Sequence, residues 1–267
     1  MLETVSEDGT SVLAQSAGTG PVILVIHPGM DDGSSWKKVV AFLAERFTVV
    51  AIRRRQYRLD IQGDVSIRDE VADIAALTAE LNGPVLIVGH SSGAVVALEA
   101  LAVLPDSFIA GVLYEPPVTI DPAAPVGGDS LDAAKEAIAQ NKPGKAIQIF
   151  TRDMVGLPAW QARLIRVFVT LNGRMRRLAP RQIADLSAMR DLGLRLPAYA
   201  GIDIPVLLIG GEQSTGDLSR QLDALEKMLL HTKRALMKGQ GHSANVRAPK
   251  ELATLISDFY PSTRTHS

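Results

Sequence analysis

Short apolar runs alternate with longer amphipathic stretches along the first half of this chain. Residues 22–26, 49–52 and 85–88 are unbroken runs of Val, Ile, Leu and Ala. Each is too short for a helix and most of their residues are β-branched, which predicts strands buried on both faces. Such strands belong to parallel sheets. The stretches between them carry helical patterning. One covers residues 34–46. A second begins at Ser66, which can form a capping box with Asp69, and stops at Asn82-Gly83-Pro84.

Two more buried strands are expected at 109–113 and 206–209, and a last one at 234–237. Residues 4–5 and 11–15 predict a hairpin turning at Asp8-Gly9. Regular alternation of strand and helix predicts an α/β architecture with a mostly parallel, doubly wound sheet. Between 115 and 205 the alternation stops. Pro116, Pro117, Pro122 and Pro125 lead into Gly127-Gly128, and then only helical patterns follow, near 130–141, 144–154, 159–172 and 180–191. We expect residues 1–115 and 197–267 to form the core and 116–196 to form a helical cap over the C-terminal edge of the sheet.

The chemistry centres on Gly89-His90-Ser91-Ser92-Gly93. A G-x-S-x-G pattern arises by composition in on the order of one in ten chains of this length, so the pattern alone is weak. Its setting is stronger, because it directly follows the strand at 85–88 and precedes a helical run at 94–104. That is the strand–turn–helix context of a nucleophile elbow. The serine then faces a helix N-terminus, where the N–H of Ser92 can help hold an oxyanion. The bland alternative is a Gly-rich turn before an ordinary helix. A serine hydroxyl needs a base, and histidine suits neutral pH. His242 sits in Gly239-Gln240-Gly241-His242, just after the last expected strand. His90 is expected to point away from the reacting centre, and His27 to shape the loop after the first long strand. His231 and His266 read as surface residues.

These residues, in this order, resemble the α/β-hydrolase superfamily over nearly the whole chain. His27-Pro28-Gly29-Met30 stands where that family carries its oxyanion loop, and Trp36 follows at a spacing often seen there. The resemblance implies the α/β-hydrolase fold and the chain order serine, acid, histidine. For the oxyanion hole it implies Ser92 and Gly29, with Met30 the alternative because Pro28 shifts the register by one. Pro28 has no N–H to donate.

The acid departs from the family pattern. Its usual place follows the strand at 206–209, but the chain reads Gly211-Glu212-Gln213-Ser214, with Ser214 at the expected position. Glu115 is the better candidate. It closes the strand after the nucleophile's helix, on the same sheet edge as Ser91, and a buried carboxylate there needs a partner. Glu212 or Asp217 is the local alternative, absence of a working acid is a third, and a structural carboxylate in a Pro-rich turn is the bland reading of Glu115. Glu115 lies 24 residues after Ser91, and Ser91-Ser92-Gly93-Ala94 with a Glu before proline looks like the fungal zearalenone lactonases. That resemblance implies an acid at Glu115 and hydrolysis of an ester or lactone of a hydrophobic small molecule. Met30, Pro117, Met154, Trp160 and Phe168 are candidate pocket residues, although each could equally be cap core.

Composition trims the remaining options. Hydrophobic residues make up 46% of 267, enough for a sizeable core, and charged residues at 21% argue against disorder. A formal net charge of −1 argues against a nucleic-acid partner. The one dense basic run, Arg53-Arg54-Arg55 with Arg58, reads as a solvated loop. With no cysteine, thiolate and disulfide chemistry are excluded. No zinc spacing or phosphate loop is present, so no cofactor and no metal are expected. The polar N-terminus lacks a signal-peptide pattern and no apolar stretch approaches ~20 residues, so a cytoplasmic protein without a membrane partner is expected. The sequence is compatible with a homodimer. Other chemistry on the same site, such as carbon–carbon hydrolysis or perhydrolysis, and ligand binding without turnover are the alternatives.

Overall fold

The computed structural model describes residues 1–81 and 83–262; Asn82 and His266 lie outside them. Eight strands form one sheet: β1 Leu2–Val5, β2 Ser11–Ala17, β3 Val22–Ile26, β4 Thr48–Ile52, β5 Val85–His90, β6 Phe108–Tyr114, β7 Val206–Gly211 and β8 Thr232–Met237. Their order is β1-β2-β4-β3-β5-β6-β7-β8. β1 and β2 pair antiparallel, β2 runs antiparallel to β4, and all other pairs are parallel. This is the α/β-hydrolase fold, with each expected strand present.

Period-two alternation splits the core between the two faces. Val85 and Ile87 of β5 enter one cluster with Leu24, Ile26 and Leu113. Leu86 and Val88 enter the other with Ile23, Val25 and Val112. Every residue of β5 is buried, as expected of a central parallel strand covered on both sides.

The helices are α1 Lys37–Leu43, α2 Ile67–Ala79, α3 Ser92–Val103, α4 Gly128–Ala139, α5 Pro143–Ile149, α6 Ala159–Leu171, α7 Gly173–Leu192, α8 Leu196–Tyr199, α9 Gly216–Met228, α10 Ala244–Arg247 and α11 Pro249–Ser262. The capping box at Ser66 and Asp69 starts α2. α1 ends before residue 46 because the N–H groups of Arg46 and Phe47 both donate to the Leu43 carbonyl, which turns the chain into β4. α4 to α7 all fall between β6 and β7. α5 continues into a π-helical turn, Phe150–Met154.

A second helix boundary also differs from the sequence reading. Pro180 reads as a helix start, yet α7 begins at Gly173 and runs through it. The Asn172 side chain supplies the cap, accepting from the Met175 N–H at 3.0 Å. An interior proline removes one helical hydrogen bond. Burial of Leu178, Ala179, Ile183 and Leu186 along the same helix offsets that loss.

The basic run also differs. Arg54, Arg55 and Arg58 are buried, not solvated. They follow β4 at the crowded C-terminal edge of the sheet, where carboxylates from α2 and α7 meet Arg54 and Arg55, and Asp60 meets Arg58. Burial of guanidinium groups is tolerable only with such partners.

Candidate active site

Ser91 occupies the turn between β5 and α3 with φ 55° and ψ −126°, a conformation L-residues rarely adopt. Two features hold it there. The Ser91 N–H donates to the Tyr114 carbonyl at 2.8 Å. Gly93 lets the turn close, since a Cβ there would lie 2.4 Å from the His27 carbonyl oxygen. The hydroxyl-bearing residue is thereby presented at the N-terminus of α3.

Glu115 closes β6 with a second positive φ, 48°. Its side chain is 0% exposed. One carboxylate oxygen accepts from the Gly211 N–H at 2.7 Å. The other meets His242 Nδ1 at 2.6 Å. The carboxylate is an acceptor, so Nδ1 carries the proton and Nε2 of a neutral ring is left with a lone pair. Ser91 and His242 both line one cleft of about 600 Å³. The alternatives for the acid have other partners, although Asp217 lines the same cleft. Glu212 accepts from the Gly239 N–H at 2.8 Å, and Asp217 pairs with Arg220 on an exposed surface. Ser214 is half-buried, and its hydroxyl oxygen is buried and unpartnered.

The loop carrying His242 is clamped by two residues whose part the sequence did not reveal. Trp36 Nε1–H donates to His90 Nδ1 at 3.3 Å, so His90 Nε2 carries the proton and donates to the His242 carbonyl at 3.0 Å. Burial pushes the His90 pKa well below the ordinary histidine value, which keeps this neutral tautomer. His90 stacks on the Tyr114 ring at 4.4 Å. The Tyr114 hydroxyl donates to the Gly241 carbonyl and accepts from the Ala244 N–H at 3.1 Å. Both residues end strands beside the elbow, the one signal that could have found them.

The loop after β3 packs against the elbow, its His27 carbonyl facing Gly93. His27 is buried; its Nδ1 contacts the Pro28 carbonyl at 2.8 Å, and its Nε2 accepts the Arg54 N–H at 3.2 Å. Gly29 is pressed from above by α7, since a Cβ there would lie 2.2 Å from Gln182 Oε1. Met30 has φ 54°. Arg54 joins this loop to the elbow: it donates to Ser92 Oγ at 2.7 Å, to Glu70 of α2 and to Asp185 of α7 at 2.9 Å. The Tyr57 hydroxyl reaches Asp185 Oδ2 at 2.6 Å and Gln182 Oε1 at 3.0 Å. Asp185 and Gln182 sit on a helix far along the chain, so nothing local pointed to them.

Of the candidate pocket residues, Pro117 and Met154 line the cleft, as do Val118, Phe150, Gln182 and Met189. Three do not. Met30 packs against the buried cluster. Trp160 and Phe168 are exposed on the outer side of α6. They are apolar and helical, but they lie opposite the buried residues Ala162 and Val169 of that helix. A larger groove, about 860 Å³ between α2, α4 and α7, includes neither Ser91 nor His242. His231 is exposed and pairs with Asp203.

Residues 23–255 match the alpha/beta hydrolase family. The chain is 26% identical over 255 residues to the 2-(acetamidomethylene)succinate hydrolase of Mesorhizobium japonicum, covering 91% of this chain and 88% of that one. Among solved structures it is similar to an alpha/beta hydrolase from Sphaerobacter thermophilus, with a TM-score of 0.82, 24% identity and coverage of 97% and 100%. It is also similar to the enol-lactonase from Burkholderia xenovorans, with a TM-score of 0.75, 18% identity and coverage of 97% and 100%.

Proposed function

Because the chain belongs to the alpha/beta hydrolase family, we propose that it cleaves a carboxylic ester or lactone of a hydrophobic small molecule through an acyl-enzyme on Ser91. The observation that carries this reading is the 2.6 Å hydrogen bond between Glu115 and His242 Nδ1 in a cleft shared with Ser91. It leaves Nε2 as the base. His242 takes the Ser91 proton as the hydroxyl attacks the carbonyl, and Glu115 stabilises the imidazolium that forms. The oxyanion is held by the N–H groups of Ser92 and Gly29. His242 returns the proton to the leaving alkoxide, which departs as an alcohol or stays tethered when a lactone opens. Water then cleaves the acyl-enzyme with His242 again as base.

In this reading residues 116–196 form the cap. The cleft is bounded by α3 and the loop after β6 on one side, and on the other by Phe150, Met154, Leu186 and Met189 from the helical segment. An apolar wall of this kind favours an apolar acyl or alkyl group. The resemblance to zearalenone lactonases supports a lactone.

A second reading is hydrolysis of another acyl or carbon–carbon bond, supported by the relative named for 2-(acetamidomethylene)succinate. One experiment tests the nucleophile for both: intact mass after a fluorophosphonate probe. The expected result is single labelling, abolished in Ser91→Ala and slowed in Glu115→Ala. An unlabelled wild-type protein would reject catalysis and leave ligand binding. A panel of esters, lactones and amides then separates the two readings.

A further inference from the structure

The chain is nearly neutral overall, but its charge is unevenly placed. Residues 137–184 hold nine of its 28 Lys and Arg residues and one of its 29 acids, Asp153. This stretch spans α5, α6 and most of α7. A local excess of one sign on a neutral chain is an electrostatic footprint for a partner of the opposite sign.

Two features of that stretch share one surface. Along α6, Trp160, Leu164, Val167, Phe168 and Leu171 are 56–79% exposed. Their spacing of i, i+4, i+7, i+8 and i+11 puts them on one stripe, opposite Ala162 and Val169, which are buried. Single exposed apolar residues need no explanation, but a continuous stripe of large ones does. Beside it lies a groove of about 350 Å³, lined by Lys142, Lys145, Arg166 and Arg176 among others. Arg163 adds a further exposed cation on the same flank of α6.

The geometry points to an anionic phospholipid surface as the partner: lipid phosphates enter the groove, and the α6 stripe lies in the boundary between headgroups and acyl chains. Trp, Leu and Phe on one side of a helix with arginines on its flank is the arrangement that binds in the plane of a membrane interface. No helix among the described residues is long and apolar enough to cross a membrane, and a contact in the interface plane needs none. The expectation of no membrane partner rested on spanning segments alone. A second copy fits less well. An antiparallel two-fold contact through this stripe would set the basic flank against itself, and a parallel one would leave that flank without an acidic partner, since residues 159–172 carry no acid. This inference concerns the outer face of the helical segment and stands apart from the reading of the catalytic site.

The test is co-sedimentation of the full chain with vesicles of phosphatidylcholine alone or mixed with phosphatidylglycerol, at low and high salt. Binding is expected only with phosphatidylglycerol, and salt should weaken it. Each cation at such a surface contributes a factor of about five, so Arg166→Glu with Arg176→Glu should weaken binding at least ~25-fold. Leu164→Asp with Val167→Asp should abolish it. All four positions are exposed, and an unchanged near-UV spectrum and Tm verify folding; the salt series requires no variant. No binding to the anionic vesicles overturns the proposal. So does equal binding to both vesicles, or binding that survives either pair of substitutions. A dimer that Leu164→Asp with Val167→Asp dissolves would also overturn it and assign the face to a second copy.

Discussion

Glu115 Oε2 lies 2.6 Å from His242 Nδ1, and this contact joins the end of β6 to the loop after β8. The carboxylate is wholly buried, and its second oxygen is held by the Gly211 N–H. It therefore has one orientation available, and that orientation fixes the imidazole tautomer. Replacing Glu115 with Gln should lower kcat on an ester substrate by on the order of 10³–10⁴, because the amide does not stabilise an imidazolium. Glu212→Gln and Asp217→Asn should stay within about twofold of wild type. Steady-state kinetics on the three variants decides the matter: a large loss in Glu212→Gln or Asp217→Asn with a mild one in Glu115→Gln would move the acid to β7.

The clamp on the histidine loop should act on turnover more than on binding. The Tyr114 hydroxyl holds the Gly241 carbonyl and the Ala244 N–H. Tyr114→Phe keeps the ring stacked on His90 and deletes only these bonds. The expected cost is about 1–2 kcal/mol of stability and a roughly tenfold drop in kcat with KM unchanged, as a misplaced base loses orientation. A variant with wild-type kcat and lower Tm would reduce Tyr114 to a structural role.

Arg54 is a guanidinium only 2% exposed, shared between Glu70, Asp185 and Ser92. It links α2, α7 and the elbow under the expected oxyanion hole. Removing it strands two buried carboxylates. Arg54→Met should therefore destabilise by about 3–5 kcal/mol, read from urea unfolding. Arg54→Lys recovers the charge but not the forked geometry and should restore only part of the loss. A change below about 1 kcal/mol in Arg54→Met would show that water or rearrangement already satisfies the cluster.

What was legible before the structure follows a physical divide. The strands at 22–26 and 85–88 announce themselves because both their faces are buried, so every position is apolar. Ser91, Glu115 and His242 stand out because each follows the C-terminal end of a strand of the one sheet, where loops meet. Arg54 follows a strand at the same edge, yet it read as solvated, since its partners Glu70 and Asp185 are 16 and 131 residues away. Long-range pairing of that kind leaves no local pattern. Trp160 and Phe168 failed for the opposite reason: helical periodicity reports that one side differs from the other, not which side faces inward.

The buried histidines give stability a sign on the acid side. Burial pushes His27 from 6.5 down to about 4, and the neighbouring Arg54 charge acts in the same direction. As pH falls from 6.5 toward 4, the unfolded chain takes up a proton at this residue and the folded chain does not. Stability from His27 is thus complete above pH 6.5 and is lost as pH falls to about 4, by about 3 kcal/mol in all. His90, also pushed down by burial, adds to the loss, whereas Glu70 and Asp73, pushed up by burial, oppose it. His27→Gln isolates the effect, because it removes the titrating ring while its Oε1 takes the place of Nε2 as acceptor for the Arg54 N–H. Urea unfolding of both proteins at pH 7 and pH 4 should show the wild-type advantage at pH 7 shrinking by about 3 kcal/mol at pH 4. An advantage that stays constant between the two would mean that His27 is protonated in the folded protein, and that the loop beneath Gly29 opens to water as the pH falls.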